Sequence, residues 1–263
     1  ATMSNRLKGC VVLVSRPRNR AASLTAKIKD EGGRVVLAPM IGTKRARDQK
    51  QFSVLIDRLS DYTSVIFISR TAVEFGVEQI KRQNQALDQL SIYAIGSGSA
   101  TELKERGFSN VQTPHSEFSS EGLLKLDELQ ATSVGGTKIL IVRGAGGREH
   151  LGETLVSRGA EVDYCEIYER FMPDVCITDA LSNAGVAVPD IGIFTSLEGA
   201  TNFVNKIRAE GLNLLFEMPV LVVGARMANE VAKLGFFKAP LIAENPNDAN
   251  VIGVLVKWAT GKL

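Results

Sequence analysis

Along the chain, short runs of β-branched and aliphatic residues bounded by Gly, Pro or Ser alternate with longer stretches in which apolar positions recur every three or four residues. The short runs predict strands at 11–15, 34–38, 64–68, 92–95, 138–142, 161–166, 191–195 and 220–223, with helices filling most of the intervals. Such alternation feeds parallel sheets, because each helix carries the chain back to the edge where the previous strand began. Gly32, Gly107, Gly159 and Gly235 each follow a helical stretch, where a residue tolerant of positive φ ends a helix at little cost.

The pattern also repeats. Arg16 and Arg143, Leu24 and Leu151, Gly32 and Gly159, and Val35 and Val162 all stand 127 residues apart. Phe67-Ile68-Ser69 falls on Phe194-Thr195-Ser196 at the same spacing, and Gly96, Ala100, Gly107 and Phe108 fall on Gly224, Ala228, Gly235 and Phe236 at 128. One register held through separated blocks predicts two homologous α/β units, and a length of 263 residues suits two domains. Two divisions of the chain fit: a sequential split near residue 132, or a crossing after the second strand of each repeat. In the second case the crossings fall at Ala38–Ile41 and Cys165–Tyr168, each lobe borrows two strands from the other repeat, and the crossings can pair as a two-stranded hinge.

Apolar residues make up 44% and charged residues 23%, enough for two buried cores and inconsistent with a disordered chain. With 31 Lys+Arg against 29 Asp+Glu, the net charge of +2 lacks the basic footprint of duplex binding, so no nucleic-acid partner is expected. No apolar run approaches the roughly 18 residues of a membrane span, and the start lacks a hydrophobic signal core, so neither membrane association nor export is expected. Cys10, Cys165 and Cys176 sit at no ligand spacing and fit a reducing, cytoplasmic setting as buried hydrophobes. His115 and His150 are too few for a metal site, and neither a metal nor any other cofactor is expected.

Gly144-Ala145-Gly146-Gly147-Arg148-Glu149 follows a strand and opens a helix, but Glu149 stands where the third glycine of a dinucleotide fingerprint belongs; Gly96–Thr101 fails the same way. What remains is either a tight turn or backbone N–H groups facing an anion at a helix start. Ser69, Thr71, Ser97, Ser99, Thr195 and Ser196 collect at the C-terminal ends of the predicted strands, the edge where open parallel sheets bind ligands and where hydroxyls also cap helices. Arg16, Arg18, Arg20, Arg70, Arg143, Arg148 and Arg226 lie at or just beyond the same ends, with forked donors suited to carboxylates or to plain solvation. Together these point to a ligand with many carboxylates. No Gly-x-Ser-x-Gly, Walker or His-Glu-x-x-His pattern occurs, which removes support for a hydrolase triad, an ATPase and a zinc protease.

Seven ordered blocks carry a family likeness: Leu13-Val14-Ser15-Arg16-Pro17; Phe67-Ile68-Ser69-Arg70-Thr71-Ala72-Val73; Ala94-Ile95-Gly96; Ser120-Glu121-Gly122-Leu123-Leu124; Ile141-Val142-Arg143-Gly144 with Gly147-Arg148-Glu149; Val162 through Tyr168-Glu169-Arg170; and Phe194-Thr195-Ser196. Over nearly its whole length the chain resembles the uroporphyrinogen-III synthases. The resemblance implies two flavodoxin-like parallel-sheet α/β domains in a bilobal arrangement, joined by a two-stranded linker that the chain crosses twice. Residues 1–38 with 172–263 would form the first lobe, 42–167 the second, and 39–41 and 168–171 the hinge strands. Lobes so joined are expected to open and close around their ligand.

The activity it implies is a cyclising hydro-lyase of haem biosynthesis. Hydroxymethylbilane, a linear tetrapyrrole with eight carboxylates, loses water and closes with ring D inverted through a spiro intermediate. By the same resemblance Tyr168 is the residue that helps the hydroxyl leave. Ser69, Arg70 and Thr71, Ser97, Gly98 and Ser99, and Thr195, Ser196 and Leu197 hold substrate through amides and hydroxyls, and Arg16, Ser120, Arg143, Gly144, Gly146 and Arg148 complete the expected substrate-binding set. The chain departs from the family pattern at Ile68, at Arg70-Thr71 and at Gly224-Ala225-Arg226, positions that alter side chains more than amides. Nothing in the sequence calls for a dimer, and a monomer is expected. The competing reading is a non-catalytic bilobal receptor for an anionic small molecule, against which the missing export signal weighs.

Overall fold

The computed structural model describes residues 4–263. In chain order the strands are β1 (Val11–Val14), β2 (Arg34–Leu37), β3 (Gly42–Arg45), β4 (Ser64–Phe67), β5 (Ser91–Ala94), β6 (Val111–Gln112), β7 (Lys138–Gly144), β8 (Glu161–Phe171), β9 (Ile191–Phe194), β10 (Val220–Val223) and β11 (Leu241–Ala243). The helices are α1 (Arg18–Asp30), α2 (Gln49–Asp57), α3 (Arg70–Arg82), α4 (Ser97–Glu105), α5 (Ser120–Leu123), α6 (Ala131–Val134), α7 (His150–Ser157), α8 (Ile177–Ala184), α9 (Leu197–Ala209), α10 (Ala225–Ala232) and α11 (Asp248–Ala259). Among the described residues, no helix is long and apolar enough to cross a membrane.

The chain divides into two compact units, one of residues up to Gly42 together with Phe171–Leu263, the other of Thr43–Arg170. The first holds a five-stranded sheet in the order β11-β10-β9-β1-β2, paired in parallel throughout. The second holds a six-stranded sheet, β3-β8-β7-β4-β5-β6, in which the five strands from β8 to β6 are parallel. Counted from the start of each repeat, both sheets have the strand order 2-1-3-4-5, that of doubly wound flavodoxin-like folds. The order reverses between β1 and β9 in one unit and between β7 and β4 in the other.

Strands buried on both faces explain the uninterrupted apolar runs. In β1, Val11 and Leu13 enter one core and Val12 and Val14 the core on the opposite face. In β7, Leu140 and Val142 face one way and Ile139 and Ile141 the other. Each sheet is thus the middle of three layers, and helices cover both faces.

The eight expected strands are all present with small shifts at their ends, and β8 runs on to Phe171. Residues 39–41, expected as a strand, are not one. Met40 and Ile41 are buried, and the N–H groups of Ala38 and Met40 donate to Val14 and Ser15 (2.9 and 3.1 Å), so this stretch extends the packing of β2. The strand begins instead at Gly42, where a Cβ would run into the Phe171 ring.

Candidate functional site

The carboxyl ends of the strands beside each order reversal are where an open parallel sheet leaves a crevice. In the second unit, β4 leads into Ser69, which has extended backbone and caps α3: its Oγ accepts the Ala72 N–H at 3.1 Å. The same Oγ lies 3.1 Å from the Tyr168 hydroxyl. A bulge at Arg143/Gly144 shifts the β7–β8 register so that Tyr168 stands opposite Gly144, and the Ala145 N–H donates to the Tyr168 carbonyl at 2.8 Å. The Tyr168 ring is buried, stacks on Phe75 with centroids 6.0 Å apart, and closes against Gly144. A Cβ on Gly144 would sit 2.7 Å from two Tyr168 ring carbons, so this approach requires glycine. The result is a phenol fixed on three sides and paired with a hydroxyl that can either donate or accept.

Next along the sheet edge, α4 starts at Ser97 with Gly96 as a cap that offers no side chain. Its first internal bond of this turn runs from the Ala100 N–H to the Gly96 carbonyl at 3.1 Å. The amides of Ser97, Gly98 and Ser99 precede that bond and point out of the helix start, where anions are favoured. Ser97 and Gly98 are exposed; Ser99 is buried. Arg70 is half-exposed and held by Glu102 at 3.1 Å, which also takes Arg106 at 2.9 Å. Burial pushes the Glu102 carboxyl up, but hydrogen bonds from Arg106 and Arg70 outweigh it and hold it below the ordinary range. Thr71 is half-buried in the first turn of α3. Ser120 opens α5, although the capping hydroxyl is that of Ser119, which accepts the Gly122 N–H at 3.0 Å.

Two expected substrate arginines have partners within the chain. Arg143 is buried; it donates to Glu149 Oε1 at 2.8 Å and to the Arg148 carbonyl at 3.1 Å, and its guanidinium lies 3.8 Å from the centre of the Tyr164 ring. Arg16 is buried too, bonded to Asp248 at 2.5 Å and to the Pro246 carbonyl at 2.7 Å. Burial raises the Asp248 carboxyl, while hydrogen bonds from Ser23 and Arg16 and the charges of Arg16 and Lys27 bring it below the ordinary range. A guanidinium at the end of a fully buried strand has to be compensated locally. Arg148 does remain outside, 81% exposed, with Glu121 at 3.3 Å. Gly144 is half-buried behind it, and Gly146 takes a φ of +76° in the exposed loop.

The first unit presents a matching edge. Ser196 caps α9 by accepting the Gly199 N–H at 3.1 Å, as Ser69 caps α3, with Thr195 half-buried before it and Leu197 exposed after it. Gly224 caps α10 at a φ of +83°, a conformation that suits the glycine standing there. Of the cysteines, Cys10 and Cys165 are buried, and burial pushes their thiols up to about 11 and about 12, away from nucleophilic use. Cys176, expected inside, is exposed and donates to Glu210 at 3.3 Å. Glu102, Ser119, Glu149 and Glu166 were not among the expected site residues; for Glu149 the available signal was an acidic residue six positions beyond the strand-end Arg143.

The family model described as uroporphyrinogen-III synthase HemD matches residues 22–253. The chain is similar to uroporphyrinogen-III synthase of Proteus mirabilis, at 32% identity over 62% of this chain and 81% of that protein. It is also similar to uroporphyrinogen-III synthase of Escherichia coli (strain K12), at 33% identity over 60% of this chain, and there it spans only 64% of the relative's length. Two solved structures share the fold. One is a mutant uroporphyrinogen III synthase from the extremely thermophilic bacterium Thermus thermophilus, with a TM-score of 0.60 and 16% identity over 97% of this chain and 100% of that one. The other is uroporphyrinogen-III synthetase from Helicobacter pylori 26695, with a TM-score of 0.62 and 15% identity over 95% and 99%. With a family model spanning most of its length and both sheets in the same fold, the chain belongs to the uroporphyrinogen-III synthase family.

Proposed function

We propose that this chain is a uroporphyrinogen-III synthase acting on hydroxymethylbilane as a hydro-lyase. The observation that carries the reading is the Tyr168 hydroxyl held 3.1 Å from Ser69 Oγ at the strand ends beside the order reversal. The substrate's terminal hydroxyl takes a proton and leaves as water, and the pyrrole nitrogen's electrons stabilise the cation left behind. Tyr168 donates that proton, and Ser69, fixed by its cap bond to Ala72, orients the phenol. Attack by the substituted carbon of ring D then forms a spiro centre, which fragments and recloses with the ring inverted.

Positioning supplies most of the catalysis. Fixing reacting groups contributes up to about 7–11 kcal/mol, while a general acid contributes roughly a hundred- to ten-thousandfold in rate. The amides of Ser97–Ser99, the start of α3 at Ser69–Thr71, Ser120, Arg148 and the start of α9 at Thr195–Leu197 hold carboxylates. Arg16, tied to Asp248 and to the Pro246 carbonyl, serves as a brace of the first unit. The enzyme works as a cytoplasmic monomer without a cofactor. The test is to supply hydroxymethylbilane and measure the isomers: type III product supports the reading, and the spontaneous type I product alone refutes it.

A further inference from the structure

The two repeats differ most where they first leave the sheet. α1 begins at Arg18, directly after Pro17, and runs to Asp30; at the 127-residue offset its counterpart α7 ends at the matching Ser157 but begins only at His150. The five residues Ala145–Glu149, equivalent to the first five of α1, are unwound into an exposed loop. The Gly146 N–H in this loop donates to Glu166 Oε2 at 3.1 Å, and Glu166 Oε1 lies 3.6 Å from Arg143 Nη2. An amide and a guanidinium therefore converge on one carboxylate, which is supplied by the chain itself.

The fold does not require this arrangement. The first repeat has Ala22 where the second has Glu149, Leu37 where it has Tyr164, and Pro39 where it has Glu166, and it forms the same parallel strand pair. Arg143 is 6% exposed, pinned by Glu149, by the Arg148 carbonyl and by the Tyr164 ring, and its Nε is buried without a hydrogen-bond partner. Glu166 is 35% exposed and sits on the strand without comparable restraint, so it is the member able to leave.

We propose that the Gly144–Gly147 loop with Arg143 is a carboxylate-binding subsite in which Glu166 stands in for a ligand carboxylate that displaces it. Taking hydroxymethylbilane as that ligand rests on the function proposed above; the subsite itself does not. Self-occupancy weakens apparent affinity by the fraction of time the slot is filled, so removing the internal carboxylate tightens ligand binding by roughly three- to tenfold. Gln keeps the shape of Glu, but a neutral amide accepts about half as strongly as a carboxylate.

The experiment follows the Gly146 amide resonance of the 15N-labelled full chain during titration with succinate. In the wild type the resonance moves saturably, and in Glu166→Gln half-saturation falls about three- to tenfold. An unmoved Gly146 resonance, or half-saturation unchanged or raised in the variant, overturns the proposal. Should Glu166→Gln misfold, Glu166→Asp draws the carboxylate back by one methylene and must move half-saturation the same way. In parallel, KM for hydroxymethylbilane is compared between the wild type and Glu166→Gln, and a lower KM is expected in the variant. A wild type that makes no type III isomer yet titrates as described refutes the synthase reading and leaves the subsite standing. An active wild type whose Gly146 ignores succinate refutes the subsite alone.

Discussion

Gly144→Ala tests whether the placement of Tyr168 matters for chemistry. The added methyl would lie 2.7 Å from two Tyr168 ring carbons and 3.0 Å from its hydroxyl, where ordinary carbon contacts are about 3.5–4.0 Å. Relief therefore requires the ring to retreat by about 1 Å, the scale on which a misplaced group costs on the order of a hundredfold in rate. The ring cannot move freely, because Phe75 stacks on its face and Ser69 holds its hydroxyl. Overpacking of this kind costs about 1–3 kcal/mol, and at roughly 2–4 °C per kcal/mol for a chain of this size the melting temperature falls by several degrees. The assay pairs thermal melting with initial rates of type III isomer formation. Expected is a kcat lowered about a hundredfold with a cooperative fold retained. A variant that melts lower but turns over within a factor of about two of wild type would show that the position of Tyr168 is irrelevant to the reaction.

Tyr168→Phe removes the hydroxyl and keeps the ring, so the stability loss is about 1 kcal/mol for one neutral hydrogen bond while turnover drops about a hundred- to ten-thousandfold; unchanged turnover removes Tyr168 from the chemistry. Arg16→Met leaves the largely buried Asp248 with Ser23 and Lys27 and costs about 1.5–3 kcal/mol in urea unfolding; a loss below about 1 kcal/mol would show that the pair does not brace the first unit. Stability also falls on acidification. The Glu31 carboxyl is held at about 2 by the hydrogen bond from Arg6, with further help from Ser4, and Glu210 is held below its ordinary range because hydrogen bonds from Thr178 and Ile177 outweigh its burial. Below neutral pH the unfolded chain binds protons that these native carboxylates refuse, so their stabilisation is complete above the ordinary carboxylate range and is lost as pH drops towards about 2. Urea midpoints should fall over that interval, and Glu31→Gln should flatten the decline; midpoints that hold or rise in acid would contradict the assignment.

Most of both sheets was legible because their strands are buried on two faces and leave unbroken apolar runs such as Val11–Val14 and Ile191–Phe194. The strands that escaped notice lack that signature: β3 is Gly-Thr-Lys-Arg at a sheet edge, β6 has two residues and β11 three. The candidate site was legible by residue type at the strand ends, since hydroxyls there serve as caps, and Ser69 and Ser196 do cap. The partners of the arginines were not legible. Arg16 meets Asp248 across 232 positions of sequence, and no local pattern announces a partner that only the fold delivers.

The duplication separates the two kinds of position. Where both repeats keep a residue in the same structural role, the fold explains it: Arg16 and Arg143 both carry a buried guanidinium to an acidic residue at a helix start, and Ser69 and Ser196 both cap a thirteen-residue helix. The proposed chemistry draws most on positions where the repeats part. Ile41 occupies the place of Tyr168, Pro17 that of Gly144, and an intact first turn of α1 that of the unwound Ala145–Glu149 loop. Each difference removes from the first repeat something the proposed reaction uses: the phenol, the glycine that admits it, and the exposed amides beside a buried cation. On the proposed reaction the proton-donating group belongs to the second unit and the first contributes amides and hydroxyls, so substitutions at Tyr168 and Gly144 should lower kcat, while those at Thr195–Leu197 should mainly raise KM.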